Sequence, residues 1–123
     1  MKEIYHLSLS SHQEVMYRDE ADLNRGFNCL AEACMETDSI LLAESFLTTH
    51  HHEMVLTDCL KEIFHRQRYA YVRYFNARHG RRGSLGEKVP FTLKIEGLYH
   101  TTVALNYVFR QGLHHGLAAS AFG

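Results

Sequence analysis

The sequence lacks the long apolar runs and paired cysteines of membrane proteins and disulfide-rich secreted proteins. No apolar run among its 123 residues approaches the length of a membrane span. Residues 1–6 lack the apolar centre of a signal peptide. The three cysteines, Cys29, Cys34 and Cys59, have no paired spacing, which argues against a disulfide framework and against a cysteine zinc site. We therefore expect a cytoplasmic protein without a membrane span.

The length and composition predict one globular domain over residues 1–123. Hydrophobic residues make up 46% of the chain and charged residues 22%, as in ordinary globular proteins. A chain of this length can bury a single core and is too short for two. The tail, residues 116–123, has no cap or closing element, so it could be the point at which a longer protein was cut.

Hydrophobic periodicity predicts an α+β sandwich, an antiparallel sheet with helices on one face. The predicted elements are a strand over residues 4–10, a helix from 19 to about 37, two strands across about 39–57 with a turn at 48–49, a helix over 58–78, a strand over 91–95 and a helix over 98–110. Asp19 and Asp58 are the expected helix caps.

Three consecutive histidines lie in the second of the paired strands. Because side chains alternate along a strand, His50 and His52 are expected to share one face while His51 points to the other. Two imidazoles on one face can bind one metal ion. The alternative is a polar strand face with solvated histidines.

Tyr107 and Gln111 are four residues apart in the last predicted helix and therefore share one helical face. A metal ion bound by His50 and His52 would accept the Gln111 oxygen and lie beside the Tyr107 hydroxyl. This combination suits phosphoryl transfer, in which the phenol oxygen attacks a phosphate and the metal neutralises charge. The alternative for Tyr107 is a half-buried aromatic whose hydroxyl contacts water.

The positive charge is concentrated in one segment. Residues 61–82 hold seven basic residues and one acidic residue, whereas residues 1–60 hold three basic and eleven acidic residues. Cations attract phosphates, and aromatic rings stack on unpaired bases. The predicted DNA-binding residues are Arg66, Arg68, Arg73, Tyr74, Arg78, Arg81 and Arg82. The alternative is a solvated helix face.

Four blocks of the chain, taken in order, resemble the HUH single-tyrosine transposases of the insertion-sequence 200/605 type. They are residues 17–22, 50–52, 74–85 and 105–109, and they are most similar to the branch of REP-associated tyrosine transposases, RAYT. The resemblance implies a ferredoxin-like fold and a transposase that cleaves and joins single-stranded or hairpin DNA through a 5′-phosphotyrosine. It also implies Mg²⁺ or Mn²⁺ on His50, His52 and Gln111, with Tyr107 as nucleophile, and leaves monomer and homodimer open.

Departures from the family pattern motivate a second hypothesis. The residue between the two histidines is normally hydrophobic and here is His51, and Gln111-Gly112 replaces an Asn-Pro pair that follows the tyrosine. A domesticated, non-catalytic protein that binds DNA hairpins is therefore the alternative. A small zinc hydrolase ranks third, because the sequence offers no clear third protein ligand and no placed general base.

Overall fold

The protein is described by a computed structural model that covers residues 1–11 and 14–114, without the side chains of residues 98 and 111–114. The strands are β1 (Glu3–Ser10), β2 (Ile40–Phe46), β3 (His50–Thr57) and β4 (Phe91–Ile95). The helices are α1 (Glu20–Glu36), α2 (Leu60–His79) and α3 (Gly97–His114). No helix in the described ranges is long and apolar enough to cross a membrane.

The four strands form one antiparallel sheet in the order β2-β3-β1-β4. α1 connects β1 to β2 and α2 connects β3 to β4, which is the strand and helix order of a ferredoxin-like fold. The predicted α+β class with an antiparallel sheet is therefore confirmed. Residues directly opposite one another point to the same face, so the register Ser8–His52 and Ser10–His50 assigns these residues to one face.

Helices cover both faces of the sheet, so the expectation that all helices share one face is wrong for α3. One core lies between the sheet and the pair α1 and α2; its fully buried members include Leu7, Leu30, Val55, Ile63 and Phe75. A smaller core lies between the other face and α3; it consists of Ala43, Met54, Ile95, Ala104 and Val108. The face under α3 is the face that carries His50 and His52.

The helix ends follow local rules with two exceptions, the start of α2 and the end of α3, which runs to His114 and not to about residue 110 as predicted. Asp19 caps α1 as predicted, because its carboxylate accepts the backbone N–H of Asp22 at 3.0 Å. α2 begins at Leu60, two residues after the predicted start at 58; Cys59 is its N-cap residue and makes no side-chain cap bond, so the predicted cap at Asp58 is wrong. Gly80 ends α2 in the left-handed conformation with φ 62°, which glycine adopts without the steric cost of a Cβ atom.

A buried carboxylate joins α1 to the last turns of α2. The side chain of Asp22 is 0% exposed. Its oxygens accept bonds from the Arg18 amide at 3.0 Å, the Tyr74 hydroxyl at 2.8 Å and an Arg78 guanidinium nitrogen at 2.8 Å, and they lie 2.9 Å from His79 Nε2. Burying a charge is costly unless it is paired and hydrogen-bonded, and this carboxylate is fully partnered.

Gly26 on α1 lies against the ring of Tyr17, so we expect Gly26→Ala to destabilise the protein. An added Cβ would lie 2.8 Å from Tyr17 Cε1. The Tyr17 ring is held in place by Phe46 and Tyr71, with ring centroids 5.2 and 5.1 Å away. The overpacked variant should lose about 1–3 kcal/mol of unfolding free energy in urea denaturation.

The matched control is Asn28→Ala at an exposed position of the same helix. Alanine has the highest helix propensity, so this control should be neutral or gain a few tenths of a kcal/mol. A Gly26→Ala protein as stable as the control would show that the Tyr17 ring can move at little cost.

Candidate functional site

The three histidines of β3 point to alternate faces of the sheet. His51 is 5% exposed and its Nδ1 lies 2.8 Å from the Tyr17 hydroxyl, in the core under α1 and α2. The rings of His50 and His52 lie on the α3 face with centroids 5.4 Å apart. The alternation expected for a strand thus separates His51 from its two neighbours.

Tyr107 of α3 lies over this histidine face. Its ring centroid is 5.6 Å from that of His52 and 6.0 Å from that of His6, and both contacts are edge-to-face. Ala104 and Val108 pack α3 onto the sheet, which fixes the height of the tyrosine above the strands. Tyr107 is 47% exposed, so its ring contacts the histidines while part of it remains open to a ligand.

His6 of β1 completes the cluster, and sequence reasoning did not single it out. It is 8% exposed, and its Nε2 lies 3.1 Å from Nδ1 of His52. The alternation of residues 4–10 places His6 on the same face as Ser8, and Ser8 is opposite His52 in the sheet. The missing information was the pairing of β1 with β3, which links residues about 46 positions apart.

Burial lowers the pKa of two imidazoles of the cluster, His6 and His52. Burial lowers the pKa of His6 below its ordinary value of 6.5. Burial and then the positive charges that His6 and His50 would carry lower the pKa of His52 to about 4. A neutral imidazole keeps a nitrogen lone pair, and that is the form that binds metal ions.

The residues present fit a divalent metal ion in part. His50 and His52 offer imidazole nitrogens on one face, and the Ser45 hydroxyl opposite His52 is buried without a hydrogen-bond partner in the described part of the chain. Within that same part, no group of three or more His, Cys, Asp or Glu side chains is arranged to hold a metal ion. The predicted third ligand, Gln111, is on α3, but its side chain lies outside the described residues.

Four of the arginines predicted to bind DNA are bound to carboxylates or backbone carbonyl oxygens of the protein itself. The pairs are Arg66 with Glu36 and Glu62, Arg78 with Asp19 and Asp22, Arg81 with Glu14, and Arg68 with the carbonyl oxygens of residues 85–87. The sequence shows these cations but does not show which acids fold against them. Tyr74 is likewise engaged, because its hydroxyl donates to Asp22.

The remaining two predicted arginines, Arg73 and Arg82, have guanidinium groups that are not paired with a carboxylate in the described part of the chain. Arg82 is exposed and has no ion-pair partner among residues 1–11 and 14–114. Arg73 donates to the Tyr69 hydroxyl at 2.9 Å and lies 5.3 Å from the centre of that ring, which is itself 66% exposed. The Tyr69–Arg73 pair borders a groove of about 390 Å³ whose other wall includes Gly83 and Ser84. These residues are on the α1 and α2 side of the sheet.

The loop after α2 connects this basic side to the edge of the histidine face. The Glu87 amide donates to the Ser10 carbonyl at 2.9 Å, and the Ser10 amide donates to the Glu87 carboxylate at 3.1 Å. Ser10 is opposite His50 in the sheet. Residues 80–87 therefore end beside the last residue of β1, Ser10, which is paired with His50 at the start of β3.

Two solved structures with the same fold are described as a transposase and a candidate transposase. The structure of a REP-associated tyrosine transposase bound to a REP hairpin superposes with a TM-score of 0.65 at 10% identity, covering 94% of this chain and 68% of that one. A candidate transposase from Deinococcus radiodurans R1 superposes with a TM-score of 0.62 at 14% identity, covering 90% and 92%. No family profile and no curated protein sequence matches the chain. The chain therefore has the fold of the REP-associated tyrosine transposases.

Proposed function

We propose that the protein is a transposase that cleaves and joins single-stranded DNA through a covalent 5′-phosphotyrosine at Tyr107. The observation that carries the proposal is the position of Tyr107 over His52 and His6, half exposed at the sheet face. The fold shared with transposases, one of them bound to a DNA hairpin, supports it. Nucleophile and histidines come from α3, β3 and β1, and the packing of α3 brings them together.

The cleavage step forms one bond and breaks another at the same phosphorus atom. The Tyr107 oxygen attacks the scissile phosphate in line, its proton passes to solvent, and the bond to the 3′ oxygen breaks. The leaving oxygen takes a proton and becomes a free 3′-hydroxyl, while the 5′ phosphate stays on the tyrosine. Attack by another 3′-hydroxyl reverses the step and joins two strands.

A divalent ion, Mg²⁺ or Mn²⁺, would be held by His50, His52 and Gln111, with remaining positions taken by water and DNA phosphate oxygen. When bound, it would neutralise charge on the scissile phosphate. The lowered pKa of His52 keeps that ring ready to bind a cation without first releasing a proton.

For the DNA path we propose a route from the basic loop to the histidine face. Arg82 and the Tyr69–Arg73 pair would hold phosphates and stack on unpaired bases. Residues 80–87 then lead along Ser10 to His50. The other predicted arginines are already bonded to groups of the protein and would contact DNA only through their exposed nitrogen atoms. They are Arg66, Arg68, Arg78 and Arg81.

The test is covalent adduct formation on a denaturing gel with labelled single-stranded hairpin DNA, in Mg²⁺, Mn²⁺ or chelator. We expect a metal-dependent adduct in the native protein and none in Tyr107→Phe, because phenylalanine keeps the ring and removes the nucleophilic oxygen. The control is Tyr99→Phe, at a residue 83% exposed on the same helix. An undiminished adduct in Tyr107→Phe would refute the nucleophile assignment.

The second candidate function is hairpin binding without cleavage. The exposed Arg82 and the Tyr69–Arg73 pair, which could bind DNA without a metal ion, favour it. It predicts binding that weakens steeply with salt, needs no metal and is reduced by Arg82→Ala. Tight binding with no adduct on any of a broad set of hairpins would favour this candidate over the transposase.

A further inference from the structure

His6 and His52 are joined by a hydrogen bond between their imidazole rings. Nε2 of His6 lies 3.1 Å from Nδ1 of His52, and the rings are 5.3 Å apart and tilted by 33°. A neutral imidazole has one N–H and one lone pair. One ring must therefore donate and the other accept, and the choice fixes which nitrogen of His52 faces the site with a lone pair.

We propose that His6 is a positioning residue that accepts the Nδ1–H of His52, so that the lone pair of His52 Nε2 faces Tyr107 and the site. In this arrangement His6 carries its own proton on Nδ1. The opposite arrangement would place a proton on His52 Nε2 and block it as a ligand. Hydrogen bonds to the second ring nitrogen commonly fix the tautomer and orientation of metal-binding histidines.

The position of His6 suits this role better than that of a separate ligand. It is 8% exposed, which restricts its ring, and its Nε2 is directed at the neighbouring imidazole. The usual partner of a metal-binding histidine is a carboxylate, a backbone carbonyl or water. Here the ring neighbours of His52 are His6, His50 and Tyr107, and of these only His6 is hydrogen-bonded to it through Nδ1.

Nitrogen-15 NMR of the metal-free protein, labelled at histidine, reads the tautomer of His52 directly and needs no DNA. We expect Nδ1–H in the native protein and loss of this single tautomer in His6→Leu. His6→Gln should restore it, because a glutamine oxygen can accept at about the position of Nε2. His65→Leu, at an exposed histidine of α2, is the control and should leave the His52 signals unchanged.

The consequence for metal binding, which rests on the proposed function, is measured as Mn²⁺ affinity by electron paramagnetic resonance. His6→Leu should weaken binding about 10–100-fold, and His6→Gln should recover most of it. A proton on Nε2 of His52 in the native protein, or a His52 tautomer unaffected by His6→Leu, would overturn the inference. So would a His6→Gln protein as weak as His6→Leu, which would make His6 itself a ligand. If the native protein has the expected tautomer but does not bind Mn²⁺, the metal part of the proposed function is refuted and the tautomer assignment is not affected.

Discussion

We expect Asp22→Ala to lower the free energy of unfolding by about 3–5 kcal/mol, as measured by urea denaturation near neutral pH. The substitution removes a carboxylate that is 0% exposed and leaves the Tyr74 hydroxyl and the His79 ring without their shared acceptor. Arg78 keeps its ion pair with Asp19 and its hydrogen bond to the Tyr74 hydroxyl. Leaving several donors at a buried site without their acceptor costs about 1–3 kcal/mol for each group. The loss would be a large share of the stability of a small domain.

The matched control is Glu62→Ala, which removes an exposed carboxylate paired with Arg66 on α2. Exposed pairs of this kind contribute about 0.3–0.5 kcal/mol. An Asp22→Ala protein no less stable than the control would show that the network around Asp22 holds little of the fold together.

The same network predicts acid destabilisation. The hydrogen bond from Arg78 lowers the pKa of Asp19 from 3.8 to about 2. Burial raises the pKa of Asp22, but hydrogen bonds from the Arg18 amide, Tyr74 and Arg78 outweigh burial and lower it. Because the unfolded chain binds these protons at higher pH than the folded one, the contribution of Asp19 and Asp22 to stability is constant above about pH 5 and falls from about pH 4 towards pH 2. A weaker pH dependence in Asp22→Asn would support this origin.

The strands and helices could be predicted from sequence because their hydrophobic periods are strong and their ends carry turn residues. The bounds of β4 are those expected from the run after Pro90, and α1 begins after the predicted cap. The face on which α3 packs could not be predicted. An amphipathic helix has one apolar side whichever face of the sheet it covers, so Ala104 and Val108 fit either arrangement.

Those residues of the candidate site that share one strand or one helix could be predicted from the sequence. His50, His52 and Tyr107 follow from alternation in a strand and from a tyrosine on a late helix. His6 depends on the strand order, since only the pairing of β1 with β3 brings it to His52. A charge count could not show which arginines pair with acids, for the same reason: Arg78 and Asp19 are 59 residues apart, and their pairing exists only in the folded chain.

A matched pair of substitutions on β3 should separate the chemistry of the site from the stability of the sheet. We expect His52→Asn to lower the rate of adduct formation on the order of 10²–10³-fold, as when one group that stabilises transition-state charge is removed. His51→Asn should stay within a few-fold of the native rate. The amide of asparagine can replace Nδ1 of His51 in its bond to Tyr17, which is on the other face of the sheet.

The two variants can be compared directly because His52 and His51 are adjacent histidines that are 6% and 5% exposed, respectively. Each variant receives the same new side chain, so the two differ only in the face from which an imidazole is lost. Melting temperatures measured beside the adduct rates correct for unequal folding. Equal losses of adduct in both variants would mean that the rate follows the integrity of β3 and not a metal at His52. An unchanged rate in His52→Asn would remove that histidine from the catalytic site.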